Sequence, residues 1–216
     1  NSPVYKSLPA YYSSIAGTPY DPANAKQMLA EAGGKDTDNN GILDKVVDGK
    51  KVQFSFKFLL NSGNEEREQI MLIRADEFKK VGIKVEILKL EWSVFLENLR
   101  TREYDAYVGA WVNDPIPSDP YQLWHSAQAD NNGSNYTGFK NTEADALIDA
   151  IEVELDREKR KALWSRLQHI DSEELPAIPL YWRAEAYILP QWLDGVRPTG
   201  HQTTTTTWVE EWTDSR

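Results

Sequence analysis

Hydrophobic and polar positions alternate along the chain with two different periods, which predict strands and helices in turn. Residues 52–58 (VQFSFKF) alternate apolar and polar side chains with a period of two, as a half-buried strand does. Residues 65–81 instead place their apolar side chains on one side of a helix, and Gly82 follows as a stop signal. A further strand pattern at 83–87 completes a strand–helix–strand unit. Such a unit predicts two parallel strands joined by a right-handed crossover.

Capping and turn residues predict the remaining elements. Asp21 before Pro22 is a typical helix start, and Gly33 and Gly34 end that helix. The other predicted elements are helices at 91–102, 121–125, from 142 onward and at about 156–174, strands at 104–111 and 178–182, and an irregular tail from Leu193. Together they predict one α/β domain with a tail that belongs partly elsewhere.

Composition narrows the classes of function. The formal net charge is −10 and the chain has no basic run, which argues against a nucleic-acid or anionic-membrane partner. The chain has no cysteine, so disulfides, thiolate catalysis and zinc–thiolate sites are excluded. Eight Trp, ten Tyr and six Phe are many aromatic residues for so polar a chain. We expect some of them to line a groove, although aromatic side chains are more often core residues.

Residues 36–44 (DTDNNGILD) have the start of an EF-hand calcium loop. Asp36, Asp38, Asn40 and Asp44 occupy ligand positions, and a glycine supplies the sharp turn. The last position, where a bidentate Glu belongs, is Val47, and no second helix follows. The same residue types also build a tight turn without an ion. The sequence therefore predicts a turn and no metal site, with a weak calcium site as the alternative.

The sequence offers few candidate catalytic residues. His125, His169 and His201 are the only histidines, and none has a nucleophile or metal-ligand spacing. Three aspartates between 114 and 130 lie in a Pro-rich segment, where carboxylates usually cap turns. We therefore expect a protein that is not an enzyme and has no cofactor, with an Asp-based hydrolase as the alternative.

Residues 104–126 (YDAYVGAWVNDPIPSDPYQLWHS) are the most informative segment for function. A predicted strand ends on Trp111, and Asp114 precedes Pro115, which favours an extended backbone. An aromatic ring and a carboxylate thus lie together at the carboxyl end of a strand, where open α/β sheets bind ligands. In the alternative interpretation, Trp111 packs in the core and Asp114 caps a turn.

The order of motifs along the chain resembles the solute-binding proteins of ABC importers in the oligopeptide/dipeptide/nickel-binding family. The resemblance covers nearly the whole chain and rests on YDPANAKQMLAEAGG, DTDNNGILD, FKKVGIKVEI, EYDAYVGAWVNDP, NYTGFKNTEADALIDA, DREKRKALWSRLQHIDSEELPAIPLY and a tail from Val196 to Trp208. It implies an α/β, periplasmic-binding-protein-like lobe with a mixed, mainly parallel sheet flanked by helices. Residues 1–20 would be an irregular segment from a first lobe, 21–192 the second lobe, and 193–216 a tail returning to the first.

The resemblance also implies a function. The full-length protein would be a monomer that captures a short peptide or a similar zwitterionic solute in a two-lobed clamp and delivers it to an ABC permease. Asp114 would hold the ligand's α-ammonium group, and Trp111, Tyr107 and Trp124 would wall the pocket. Members of the family also carry nickel complexes, sugars and opines, so a non-peptide solute is the alternative.

The resemblance further implies a location and a role for the acidic loop. The protein would be periplasmic or extracellular, and tethered to the membrane through an N-terminus that precedes this chain. The loop at 36–44 would belong to a hairpin-like excursion away from the ligand, which favours the turn over the calcium site.

Overall fold

The computed structural model describes residues 15–111, 119–130, 132–182, 188–196 and 211–215. The chain divides into two compact units. We call Thr18–Ala110 the sheet unit, and Asn1–Gly17 with Trp111–Arg216 the helical unit. The lobe boundaries implied by the resemblance stay a prediction.

The sheet unit contains a three-stranded parallel sheet. Its strands are β3 (Ser55–Asn61), β4 (Lys84–Leu90) and β5 (Ala106–Tyr107), in the order β4-β3-β5. Helix α2 (Glu65–Lys80) joins β3 to β4, and α3 (Trp92–Thr101) joins β4 to β5. The predicted parallel strand–helix–strand unit is therefore confirmed.

Burial of the central strand explains the sheet's stability. Leu59 and Leu60 of β3 point to opposite faces, and each is only 1 % exposed. Leu60 packs with Met71 of α2 and with Val108, which follows β5. Two consecutive buried residues are typical of a strand covered on both faces, so the period-two pattern applies only to the start of β3.

A helix and a β-hairpin precede this sheet. Helix α1 (Pro22–Glu31) leads to β1 (Asp44–Val47) and β2 (Lys50–Gln53), which pair antiparallel. The expectation of one continuous strand at 52–58 is wrong, because Phe54 separates β2 from β3. Its N–H donates to the Leu43 carbonyl (2.7 Å), and its own carbonyl accepts from Lys84 N–H (3.0 Å), which begins β4.

The helical unit is built around two packed helices. Its elements are α4 (Tyr121–Trp124), a short 3-10 helix (Ser126–Gln128), α5 (Thr142–Val153), α6 (Arg157–Glu174), β6 (Leu193–Asp194) and β7 (Thr213–Asp214). The core between α5 and α6 contains Ala144, Ile148, Ile151, Trp164, Leu167 and Ile170. Within the described ranges, no helix has the length and apolarity needed to cross a bilayer.

Two expectations for the end of the chain are wrong. Residues 178–182, expected as an edge-type strand, form no strand, since a strand needs a paired neighbour that the local pattern does not supply. The tail is not wholly irregular, because β6 and β7 pair antiparallel across a long connection. The third strand of the sheet is also shorter than predicted: only Ala106 and Tyr107 pair with β3.

Candidate functional site

The carboxyl ends of the parallel strands meet at one edge of the sheet unit. Asn61, the last residue of β3, lies opposite Leu90, the last residue of β4. The Ser62 N–H donates to the Leu90 carbonyl (2.7 Å), and the Ser62 hydroxyl donates to the Glu91 carboxylate (3.1 Å). The Asn61 amide oxygen accepts from the Arg67 guanidinium (2.7 Å). These bonds fix the loops at the edge where open α/β sheets bind ligands.

A series of aromatic rings joins helix α3 to strand β5 in the same unit. Trp92, at the start of α3, is 56 % exposed and stacks on Phe95, with ring centroids 5.7 Å apart. Phe95 contacts Tyr107 edge-on (6.4 Å), and Tyr107 contacts Tyr104 in the same manner (5.4 Å). Tyr107, an expected wall residue, is thus a half-buried member of this series. Sequence reasoning missed Trp92, which comes two residues after the end of β4.

Trp111 belongs to the helical unit and is not a core residue. Its side chain is 52 % exposed and stacks on Tyr136, with ring centroids 6.2 Å apart and planes inclined by 18°. The alternative that buries Trp111 in the core is therefore wrong. Asp114, the expected ligand anchor, lies in 112–118, outside the described residues. Nothing in the local sequence distinguishes Tyr136 from the other tyrosines, so its contact was not predicted.

Trp124 packs against the α5–α6 core of the helical unit and is half-buried. It lines a small cavity whose other walls are Phe139, Trp164, Leu167, Gln168 and Asp171. Burial raises the pKa of the Asp171 carboxyl to about 6. The role of Trp124 as a wall of the ligand pocket stays a prediction.

Comparison with known proteins places the chain in a family. The profile of the family described as bacterial extracellular solute-binding proteins, family 5 Middle, matches residues 1–134. The oligopeptide-binding protein AppA of Bacillus subtilis (strain 168) is 38 % identical over 180 residues, which are 82 % of this chain and 32 % of that protein. The chain belongs to family 5 of the bacterial extracellular solute-binding proteins.

Solved structures show the same fold for this family 5 chain. AppA from Bacillus subtilis in complex with a nonapeptide has a TM-score of 0.81 and 33 % identity, and the match covers 100 % of this chain and 42 % of that one. The oligopeptide-binding protein from Thermus thermophilus complexed with a pentapeptide has a TM-score of 0.80 and 29 % identity, over 90 % of this chain and 35 % of that one. The periplasmic-binding-protein-like α/β fold is confirmed. The chain spans about a third of the length of AppA.

The acidic loop of this family 5 chain is closed by its own main chain. The Asp36 carboxylate accepts the N–H groups of Asn40 (3.1 Å) and Gly41 (2.9 Å), and the Asn40 amide oxygen accepts from Ile42 N–H (2.8 Å). Such side-chain to main-chain bonds stabilise a turn without an ion.

A lysine pairs with two of the three carboxylates that could hold a metal. Asp36, Asp38 and Asp44 each bring one oxygen within 4.8 Å of the others. The Lys51 ammonium lies 2.8 Å from Asp38 and 3.1 Å from Asp44, and these bonds raise the pKa of Lys51. Burial alone would raise the pKa of Asp44, but hydrogen bonds from Thr37 and Lys51 outweigh it and lower the pKa. A cation from β2 thus already pairs with two of the three carboxylates. The expectation of a turn stays a prediction that calcium titration tests.

Several contacts hold the ring of His125 in place. The His125 Nδ1 accepts the Ala127 N–H (3.0 Å), and the ring stacks on Tyr121 with centroids 4.3 Å apart. The other nitrogen, Nε2, lies 3.5 Å from the Asp149 carboxylate. Since Tyr121 belongs to α4 and Asp149 to α5, this ring joins the two helices, which is a structural role.

Proposed function

We propose that this chain is part of the substrate-binding component of an ABC importer. The complete protein captures a short peptide or a similar zwitterionic solute between two lobes and delivers it to a membrane permease. The observation that carries the proposal is the match to oligopeptide-binding proteins along nearly the whole chain, with 38 % identity to one of them. Solute capture requires no bond chemistry, so the complete protein is not an enzyme. It acts as a periplasmic or extracellular monomer that docks on its permease.

The ligand contacts follow from the chemistry of a peptide. An extended peptide offers apolar side chains, which pack well on flat aromatic rings, and a charged amino end, which needs an anion. Trp111 supplies a half-exposed indole, and Asp114 lies three residues further along the chain. We assign the carboxylate of Asp114 to the ligand's ammonium group and the Trp111 ring to a neighbouring side chain. Tyr107 and Trp124 are the further residues that the family resemblance assigns to the pocket wall.

Native mass spectrometry of the full-length protein tests the proposal. We expect a peptide to co-purify and to be recovered unchanged after denaturation. A sugar, an opine or a nickel complex in its place would overturn the peptide assignment and leave solute capture intact. Turnover of an added peptide would instead support the Asp-based hydrolase.

A further inference from the structure

The loop between the 3-10 helix and α5 contains a buried amide that uses all of its hydrogen-bonding capacity. Asn135 is 0 % exposed. Its NH2 group donates to the carbonyls of His125 (3.2 Å) and Phe139 (2.8 Å). Its Oδ1 accepts from the Thr137 hydroxyl (2.9 Å) and the Phe139 N–H (3.2 Å). Two donors and two acceptor sites are the full inventory of an Asn side chain, so the loop can rearrange only by breaking these bonds.

The partners of this amide show what it controls. All of them lie between 125 and 139, so the bonds specify the shape of one loop. The main chain adds to this, since Asn135 N–H donates to the Gln128 carbonyl (3.1 Å) and Tyr136 N–H donates to the Ser134 carbonyl (2.8 Å). Tyr136, the next residue, is therefore held with its backbone in a fixed place.

Tyr136 connects the loop to the residue expected to face the ligand. Its ring lies nearly parallel to the Trp111 indole, with planes 18° apart. The indole is still 52 % exposed, so it keeps a surface for a ligand while the phenol supports it. A support of this kind reduces the ordering that binding would otherwise have to impose on the indole.

We propose that Asn135 is a positioning residue for ligand binding, which acts by holding Tyr136 in place so that Tyr136 orients Trp111. The inference rests on the proposed function and names two residues that the family resemblance did not assign. Asn135 does not touch the ligand; it fixes the tyrosine that fixes the ligand-facing ring.

The test uses peptide binding by the full-length protein, with trialanine and pentaalanine as probes. Asn135→Asp keeps the shape of the side chain but removes both donated bonds. We expect affinity to fall about three- to tenfold, mostly through faster dissociation, because the aromatic support is worth about that factor. Tyr136→Ala removes the ring and should cause a loss of similar size, whereas Tyr136→Phe keeps the ring and should bind like the wild type.

A matched control separates positioning from a change of charge. Asn141→Asp makes the same chemical change six residues further on, but Asn141 only accepts bonds, from the N–H groups of Glu143 (2.9 Å) and Ala144 (3.0 Å). A carboxylate keeps both bonds, so this variant should bind within about twofold of the wild type. All affinities are measured well below the melting temperature of each variant, where a loss of global stability alone does not change the measured affinity.

A double variant identifies the route of the effect. If Asn135 acts through Tyr136, adding Asn135→Asp to Tyr136→Ala costs no further affinity, whereas independent sites give multiplied losses. Wild-type affinity for folded Asn135→Asp, or multiplied losses in the double variant, overturns the inference. Should Asn135→Asp not fold, the comparison of Tyr136→Ala with Tyr136→Phe decides, and equal binding by the two overturns it. A wild-type protein that binds neither peptide counts against the peptide assignment of the proposed function, and with it against this inference, and leaves solute capture intact.

Discussion

The buried carboxyl of Asp171 leads to a prediction about stability and pH. Helix α6 carries Trp164, Leu167 and Ile170 into the core, and Asp171 follows on the same side with 9 % of its surface exposed. Burial disfavours the charged form and raises the pKa from an ordinary value of 3.8 to about 6. The change we propose is Asp171→Asn, which keeps the shape and removes the charge.

The magnitude follows from the difference between these two values. Between pH 3.8 and about 6 the folded protein holds this proton while the unfolded chain has lost it. The contribution of Asp171 to stability is therefore fully present below pH 3.8 and is lost as the pH rises through about 6. Each pKa unit corresponds to about 1.4 kcal/mol, so the full loss is about 3 kcal/mol. The amide of the variant cannot ionise, so its free energy of unfolding relative to the wild type should rise by about 3 kcal/mol over this range.

Urea denaturation of the full-length protein at about pH 4 and about pH 7.5 measures this difference. Comparing the two pH values removes any constant effect of exchanging a carboxyl for an amide. The control is Glu174→Gln on the same helix, where the carboxylate is exposed. A stability difference between Asp171→Asn and wild type that is the same at both pH values would refute the argument from burial.

Three further predictions concern the ligand, the acidic loop and the chain by itself. Asp114→Asn in the full-length protein should weaken the binding of a peptide with a free amino end by about 2–5 kcal/mol in calorimetry, because a buried cation loses its partner. An N-acetylated peptide should lose little affinity, and equal losses for both peptides would remove Asp114 from the site. Millimolar Ca²⁺ should change the melting temperature by no more than about a degree, since the Lys51 ammonium of β2 already pairs with Asp38 and Asp44. A large shift that Asp38→Ala abolishes would establish a calcium site. The isolated chain should fold but bind peptides no tighter than roughly millimolar, because it spans about a third of the length of AppA and so of a two-lobed clamp. Micromolar binding in calorimetry would contradict the clamp.

The sequence by itself determined the elements whose signals are local. Asp21 caps α1 by accepting the Asn24 N–H (2.9 Å), and Asn64 caps α2 by accepting the Arg67 N–H (2.9 Å). The turn at Gly82 has a φ of 86°, a conformation that favours glycine. Caps, glycine turns and apolar periods depend on residues a few positions apart, and so they can be read from the order of residues.

The candidate site was predictable only in part. The sequence left open whether Trp111 packs in the core or faces a ligand, and the structure shows that its side chain is half-exposed. The family motifs pointed to Asp114, and its role at the ligand stays a prediction. Neither Tyr136 beneath Trp111 nor the exposed Trp92 was found. The stack of Trp111 on Tyr136 joins residues 25 positions apart, and no periodicity within either segment carries that information.

Only the tertiary structure decided which extended segments became strands. Residues 178–182 have apolar side chains but no ladder, while the short β6 pairs with β7 some twenty residues away. Phe54 ends β2 because its hydrogen bonds go to Leu43 and Lys84 and thereby join the hairpin to the sheet. A strand is stabilised by hydrogen bonds to another strand, so its existence depends on a partner that the local sequence does not contain.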